Sequence, residues 1–282
     1  MNIFIINPNS GNKMGLELIP ELMNLPDVLI HVTKNKGEAI TFLDDIVKEF
    51  PHSIVYRVGG DGTLNEVVNG IYDTDCKLHI VPFGSGNDYY RIVKNITEQS
   101  VDVGMVNERK FINIASLGVD ADIVNHVNHD RHIFLKYPRN IIKTLVQYEK
   151  KELIVDSEKK LINILAICKG KYYGNGVPIN PYYTLDDGVF NCFTATNLSN
   201  LKMIKCFLEI FKEKHLDNNH VEVSRIKNLK VSSNFPIMCQ ADGEVFKDTN
   251  FNFQIMPKKL TITNRIPDNI KRMIYRYDVN PI

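Results

Sequence analysis

Four short segments carry residue types suited to phosphate chemistry. The longest, Gly59-Gly60-Asp61-Gly62-Thr63-Leu64-Asn65-Glu66, follows the apolar run from Ile54 to Val58 and opens a helical pattern. Glycines at a strand end allow close backbone approach, and a following helix N-terminus aims free N–H groups outward, so a phosphate chain is the natural occupant. Asp61 would repel phosphate unless a divalent cation or an ordered water stood between them, which implies magnesium. Pro82-Phe83-Gly84-Ser85-Gly86-Asn87-Asp88 repeats the design after the run from Leu78 to Val81, with the Ser85 hydroxyl as a phosphate donor and Asp88 as a second carboxylate. Asn7-Pro8-Asn9-Ser10-Gly11 follows the first apolar run, and Asp242-Gly243-Glu244 lies late in the chain between strand-like stretches. Read singly, the first two are equally turns followed by a helix cap (Thr63 in the first), the third is a generic turn, and Asp242-Gly243 is a hairpin turn.

The elements that must position these residues follow two patterns. Strand-like runs at Ile3 to Ile6, Val28 to Val32 and Ser53 to Val58 alternate with helical patterns at Leu16 to Met23, Glu38 to Phe50 and Thr63 to Tyr72. Such alternation predicts a parallel, helix-covered sheet whose ligands gather at the carboxyl ends of its strands, where three of the four segments fall. After Gly118 a helical stretch from Ala121 to Lys150 gives way to short β-rich runs at 162–168, 188–195, 221–223, 229–231, 236–240, 251–256 and 260–263, with one helix at 201–214. The expected fold class is therefore α/β, with an α/β domain over 1–118, a mainly β domain over 119–266, and a packed junction with a cleft between them.

Composition excludes several alternatives. The 282 residues are 44% hydrophobic and 24% charged with a net charge of +1, which suits a globular protein and offers no broad basic field for nucleic acid. The five cysteines are scattered and form no C-x-x-C pair, as expected of a reduced, cytoplasmic compartment. The start MNIFIINPNSG lacks a basic leader and a cleavage site, and the longest apolar run, Ile162 to Cys168, is far short of the roughly 18 residues that cross a bilayer. Any contact with lipid is expected to be peripheral.

Taken together the motifs resemble the diacylglycerol kinase catalytic family, which includes sphingosine and ceramide kinases and the bacterial lipid kinases. The matching elements are NPNSG at Asn7 to Gly11, GGDGTLNEVVNG at Gly59 to Gly70, PFGSGNDYYR at Pro82 to Arg91, VDVG at Val101 to Gly104, PYYTLDDGVF at Pro181 to Phe190, and DGE at Asp242 to Glu244. The resemblance implies a Rossmann-like nucleotide-binding domain of the phosphofructokinase and NAD kinase type, a β-sandwich lipid-substrate domain, and a tail over 267–282 that returns to the first. It implies ATP contacts at Asn7, Pro8, Asn9, Ser10, Gly11, Thr33, Gly60, Asp61, Gly62, Thr63, Leu64, Asn65, Glu66 and Ser85. It further implies an acidic network of Asp61, Asp88 and Asp102 around catalytic magnesium, Asp242 as general base, and a structural metal held by Thr184, the Asp187 carboxylate and the Val189 carbonyl. The partner would be a membrane lipid, diacylglycerol first, at a bilayer surface; a homodimer is compatible with this. Tyr89, Tyr90, Tyr182 and Tyr183 depart from the commonest family pattern and are placed where they would reshape the acceptor pocket.

Competing readings remain open on the residues alone. Phosphatidylglycerol, a sphingoid base or NAD is an alternative acceptor, and a binding module without turnover is the non-enzymatic one. There is no G-x-x-x-x-G-K-[ST] loop and no protein-kinase set of H-R-D and D-F-G elements. His126, His129 and His132 recur at helical spacing without a cysteine to complete a metal site, and Arg131 to Lys151 reads as an amphipathic helix or a membrane-surface segment.

Overall fold

The computed structural model describes residues 1–84, 86–129, 141 and 144–276. Ser85, His132, the terminal residues 277–282 and most of the first half of the expected amphipathic segment, 131–140 with 142 and 143, therefore lie outside the described residues, as does the side chain of His129. The chain divides into two compact units: Met1–Val103 with Gly174–Gly176 and Met256–Ile282, and Gly104–Tyr173 with Val177–Ile255.

In the first unit, β1 (Asn2–Ile6) leads through two single-turn helices, α1 (Met14–Glu17) and α2 (Ile19–Leu22), to β2 (Val28–Val32) and α3 (Glu38–Glu49). Then come β3 (Ile54–Val58), α4 (Asp61–Ile71), β4 (Lys77–Val81) and the short α5 (Asp88–Val93). The strands pair in parallel in the order β2-β1-β3-β4, as the alternating pattern predicts. Their buried runs of Ile, Val and Phe are what a sheet covered on both faces requires. Phe4 stacks on Tyr56 with centroids 4.2 Å apart. The terminal helix α8 (Asp268–Tyr275) sets Ile270, Met273 and Ile274 into the same core, beside Phe4, Ile6, Tyr56 and Val58. The chain thus returns to its beginning at its end.

The second unit is antiparallel. Its strands are β6 (Arg109–Phe111), β7 (Ile114–Gly118), β8 (Lys151–Val155), β9 (Glu158–Cys168), β10 (Phe190–Thr196), β11 (Val221–Ile226), β12 (Asn228–Ala241) and the first part of β13 (Glu244–Thr263). They pair in the order β11-β10-β9-β7-β12-β13. The long strands β9 and β12 share β7 at one end and β8 at the other, so the sheet folds over its own core. That core contains Phe111, Leu117, Leu153, Leu165, Phe190, Phe251 and Phe253. Helices α6 (Val119–His129) and α7 (Asn200–Ile210) are among those that accompany it, the latter capped by the Ser199 hydroxyl on the Lys202 N–H.

The two compact units change over at Val103–Gly104, ahead of β7, whose partners β9 and β12 belong to the antiparallel unit. The crossing strand β5 (Glu98–Val106) carries the chain over. The runs at 229–231 and 236–240 are one strand, β12, in which Pro236 sits within a register shift between Ser232 and Ile237, where no ladder N–H is needed. Those at 251–256 and 260–263 are likewise one strand, β13. Up to Gln254 it pairs with β12, and beyond Pro257 it pairs in parallel with β4 through Thr261 and Ile262. A proline at a change of partner costs the ladder little.

Candidate active site

The three predicted loops of the first unit come together at the carboxyl ends of β1, β3 and β4, and they interlock. The Asn7 amide donates to Thr63 Oγ1 at 3.1 Å, and Asn7 Oδ1 accepts from the Asn9 N–H at 2.9 Å, closing an Asx turn. Gly11, at φ +54°, lies so close to Phe83 that a Cβ there would stand 2.0 Å from the Phe83 carbonyl oxygen. A Cβ on Gly84 would stand 2.3 Å from Gly60 Cα, whereas one on Gly62 would meet nothing within 4 Å. Gly11 and Gly84 thus permit loop-on-loop packing, and Gly62 faces open space.

Beneath the loops lies Arg57, wholly buried on β3 and absent from the sequence-based candidates. Its Nη1 donates to the Gly59 carbonyl and, at 3.2 Å, to Asn87 Oδ1, while the Asn87 amide donates to the carbonyls of Pro82 (3.0 Å) and Gly84 (2.6 Å). One guanidinium therefore ties the Gly59 turn to the Gly84 turn. Burial pushes it down to about 10, with the Asp61 charge acting in the opposite direction.

Helix α4 starts at Asp61 with Gly60 as its N-cap, so Thr63 lies inside the first turn and does not cap it. Asp61 Oδ2 accepts weakly from the Asp88 N–H at 3.3 Å, and Asp88 Oδ2 accepts from the Asn175 N–H at 2.9 Å. The remaining oxygens, Asp61 Oδ1 and Asp88 Oδ1, are buried without a hydrogen-bond partner. Unmatched buried carboxylate oxygens are costly, and they suit a cation or its water ligands. Burial, and after it the charge of Asp61, pushes the Asp88 carboxyl up to about 6. Asp102 is fully buried on β5, and its Oδ1 accepts from the Lys258 N–H at 3.0 Å. Among the described residues no group of three or more His, Cys, Asp or Glu side chains is arranged to hold a metal. Asp61 and Asp88 therefore fit a cation that arrives with phosphate oxygens and water as its other ligands.

Other predicted contacts serve the scaffold. The Glu66 carboxylate accepts from the Gly37 N–H at 2.9 Å and the Ala39 N–H at 3.4 Å, which holds the N-terminus of α3. Thr33 extends β2 by donating its N–H to the Ile6 carbonyl at 2.9 Å, Leu64 is in the core, and Asn65 is buried and accepts from the Asn69 amide. Tyr89 and Tyr90 are 1% and 8% exposed and pack inside the first unit. His126 bonds Thr144 Oγ1 through Nδ1 at 3.1 Å.

In the second unit, Asp242 and Gly243 form the two-residue turn between β12 and β13, closed by the Ala241–Glu244 pair and with φ of +48° and +86°. The hairpin reading is correct, and the side chain does more than turn the chain. Asp242 Oδ2 accepts from the Ile112 N–H at 2.8 Å, and Oδ1 accepts from the N–H groups of Asn113 and Ile114, each at 3.0 Å. Behind it Gln240 Oε1 accepts from the Gly243 N–H at 2.9 Å. The Gln240 amide donates to Ser116 Oγ (2.9 Å) and Asp120 Oδ2 (3.2 Å). Ser116, Asp120 and Gln240 carry no sequence signal, since each is a polar residue on an otherwise ordinary strand or helix.

The metal site expected at Thr184, Asp187 and Val189 is filled by protein. Lys169, 2% exposed, donates its Nζ to Asp187 Oδ1 at 2.6 Å and to the Val189 carbonyl at 3.0 Å. Arg225 Nη2 donates to Asp187 Oδ2 at 2.5 Å. These residues as arranged do not fit a divalent cation.

Two family models match the chain. One, the diacylglycerol kinase catalytic domain, covers residues 2–116, and the other, the YegS C-terminal NAD kinase beta sandwich-like domain, covers 113–264. Fold and family models together place the chain in a lipid kinase family of mixed α/β build with a β sandwich-like second domain. The chain belongs to the diacylglycerol kinase catalytic family in its YegS-like form. It is 23% identical over 269 residues to a diacylglycerol kinase of Bacillus subtilis, covering 85% of this chain and 88% of that one. To a diacylglycerol kinase of Staphylococcus haemolyticus it is 26% identical over 294 residues, covering 92% and 86%. A solved structure described as a diacylglycerol kinase from Bacillus anthracis has the same fold, with a TM-score of 0.68 at 19% identity over 93% of this chain and 95% of that one.

Proposed function

We propose that the protein is an ATP-dependent kinase that transfers the γ-phosphoryl group to a lipid hydroxyl at a bilayer surface, with diacylglycerol as acceptor and phosphatidic acid as product. The observation that carries this reading is the interlocked rim of Asn7–Gly11, Gly59–Gly62 and Phe83–Gly84, opening on two unmatched carboxylate oxygens at Asp61 and Asp88. Backbone N–H groups at the start of α4 would receive phosphate oxygens. Asp61 and Asp88 would hold magnesium, which when bound neutralises phosphate charge. The oxygen of the acceptor hydroxyl forms the new bond to the γ-phosphorus as the bond from phosphorus to the β–γ bridging oxygen breaks, and ADP leaves with that electron pair. Asp242 accepts the hydroxyl proton. Positioning and charge stabilisation supply most of the rate, and proton removal about 100 to 10,000-fold.

The test is incubation with labelled ATP, magnesium, NAD and a total lipid extract, followed by identification of the labelled product. Label in phosphatidic acid is expected; label only in NADP, or no lipid-stimulated consumption of ATP, would remove the reading. Asp242→Asn is expected to lower turnover at least 100-fold while ATP still binds, with the factor of about 100 taken as the lower end of what proton removal supplies. Because Asn would present an N–H₂ to one of the three donors, the same variant should also melt lower, by roughly 1–3 kcal/mol of stability. Turnover that falls only in proportion to the unfolded fraction would take Asp242 out of the proton-accepting role.

A further inference from the structure

Lys169 stands immediately after β9, where its own N–H and that of Gly170 both donate to the Asn113 carbonyl, at 2.8 and 2.9 Å. The backbone on either side of it is therefore fixed, and its side chain runs inward to end at the Thr184–Val189 loop. A divalent magnesium shared by Asp187 Oδ1 and the Val189 carbonyl would have to lie about 2.1 Å from each. The ammonium already donates to both oxygens, at 2.6 and 3.0 Å, so it stands in the space such an ion would need. A cation placed there as well would meet a like charge at close range and lose its oxygen ligands to the three N–H donors of the ammonium. Asp187 Oδ1 also accepts from the Val189 N–H at 3.4 Å, and Arg225 donates to the other carboxylate oxygen. The loop thus receives two positive charges, the same total that a divalent ion would bring.

We propose that Lys169, assisted by Arg225, is a built-in replacement for the structural cation of the Thr184–Val189 loop, and that this chain locks the loop without a divalent metal. The two charged donors differ in exposure, 2% for Lys169 and 64% for Arg225, so the buried ammonium is the fixed member and the guanidinium closes the solvent side. Burial opposes ionisation of Asp187, yet the Lys169 ammonium and, after it, the Val189 N–H and Arg225 hold its carboxyl below the usual range. The replacement is a property of the second unit and does not depend on which acceptor is phosphorylated.

The experiment compares thermal unfolding of the nucleotide-free protein in chelator and in millimolar magnesium, alongside elemental analysis after desalting. The wild type is expected to melt at the same temperature in both and to carry no stoichiometric divalent ion. Lys169→Asn, which removes the ammonium and leaves an oxygen, is expected to melt roughly 5–15 °C lower in chelator and to recover part of that loss in magnesium. Addition of Asp187→Asn should abolish the recovery. A wild type that holds one divalent ion per chain, lost in Asp187→Asn, would overturn the proposal whether or not Lys169→Asn folds. So would a Lys169→Asn protein that melts with the wild type in chelator.

Discussion

Asp88, proposed above as a magnesium ligand, is a residue whose charge is held in the fold at the expense of stability. Its carboxyl is pushed up to about 6 in the folded protein, whereas in the unfolded chain it titrates near 3.8. The folded state therefore holds the proton more tightly, and the stability this provides is complete below about pH 4 and lost as pH rises through about 6. A displacement of that size corresponds to about 3 kcal/mol. Asp88→Asn keeps an oxygen for the Asn175 N–H and removes the buried charge. Its melting temperature should exceed that of the wild type by roughly 2–8 °C above about pH 7 and match it below about pH 4, in nucleotide-free protein. The same variant should lose most metal–nucleotide turnover, a trade expected where an active site is built from strained electrostatics. Equal melting at both pH values would mean that Asp88 is solvated or already paired.

At the scale of elements, the loops are legible because their chemistry is local. Glycine, asparagine and proline announce a turn wherever they fall, and period-two and period-3.6 runs announce the strands and helices between them. Arg57 is not legible, since a charged residue inside IVYRV reads as the solvent face of a strand and only the packing of two loops reveals its task. Lys169 is hidden for the same reason, and Glu66 reads as a nucleotide contact because its grip on α3 depends on a partner 29 residues away in sequence. Strands β12 and β13 each read as two runs, divided at their prolines, because the sequence does not show where a strand changes partner. The interlocked loops make a paired prediction. Gly84→Ala forces a Cβ against Gly60 and should lower both melting temperature and ATP affinity, with a stability loss of about 1–3 kcal/mol. Gly62→Ala meets no protein atom, so it should melt like the wild type while binding ATP roughly 10-fold or more weakly, as judged by calorimetric titration. Unchanged affinity in Gly62→Ala would move the phosphates away from the start of α4.

At the scale of the whole molecule, the first unit is assembled from both ends of the chain, with Met256–Ile282 joining Met1–Val103. Helix α8 contributes Ile270, Met273 and Ile274 to the core around Phe4 and Tyr56. Each such side chain stabilises by about 1.5–3 kcal/mol, so losing three approaches the roughly 5–15 kcal/mol by which a typical domain is stable at all. A chain ending at Pro267 is therefore expected to lose the cooperative, ATP-shifted melting transition, as scanning calorimetry would register. Among the described residues no helix is long and apolar enough to cross a membrane.

The pairing of β13 with β4 has a consequence for how the protein is made. The edge of β4 is synthesised early, but the stretch that covers it at Thr261 and Ile262 follows only after the whole antiparallel unit. Until then a nascent parallel sheet would present an open, hydrogen-bond-hungry border to other chains, the kind of surface that chaperones shield. The order of manufacture places the antiparallel unit before the stretch that seals the edge of β4, so that unit is the part free to mature first.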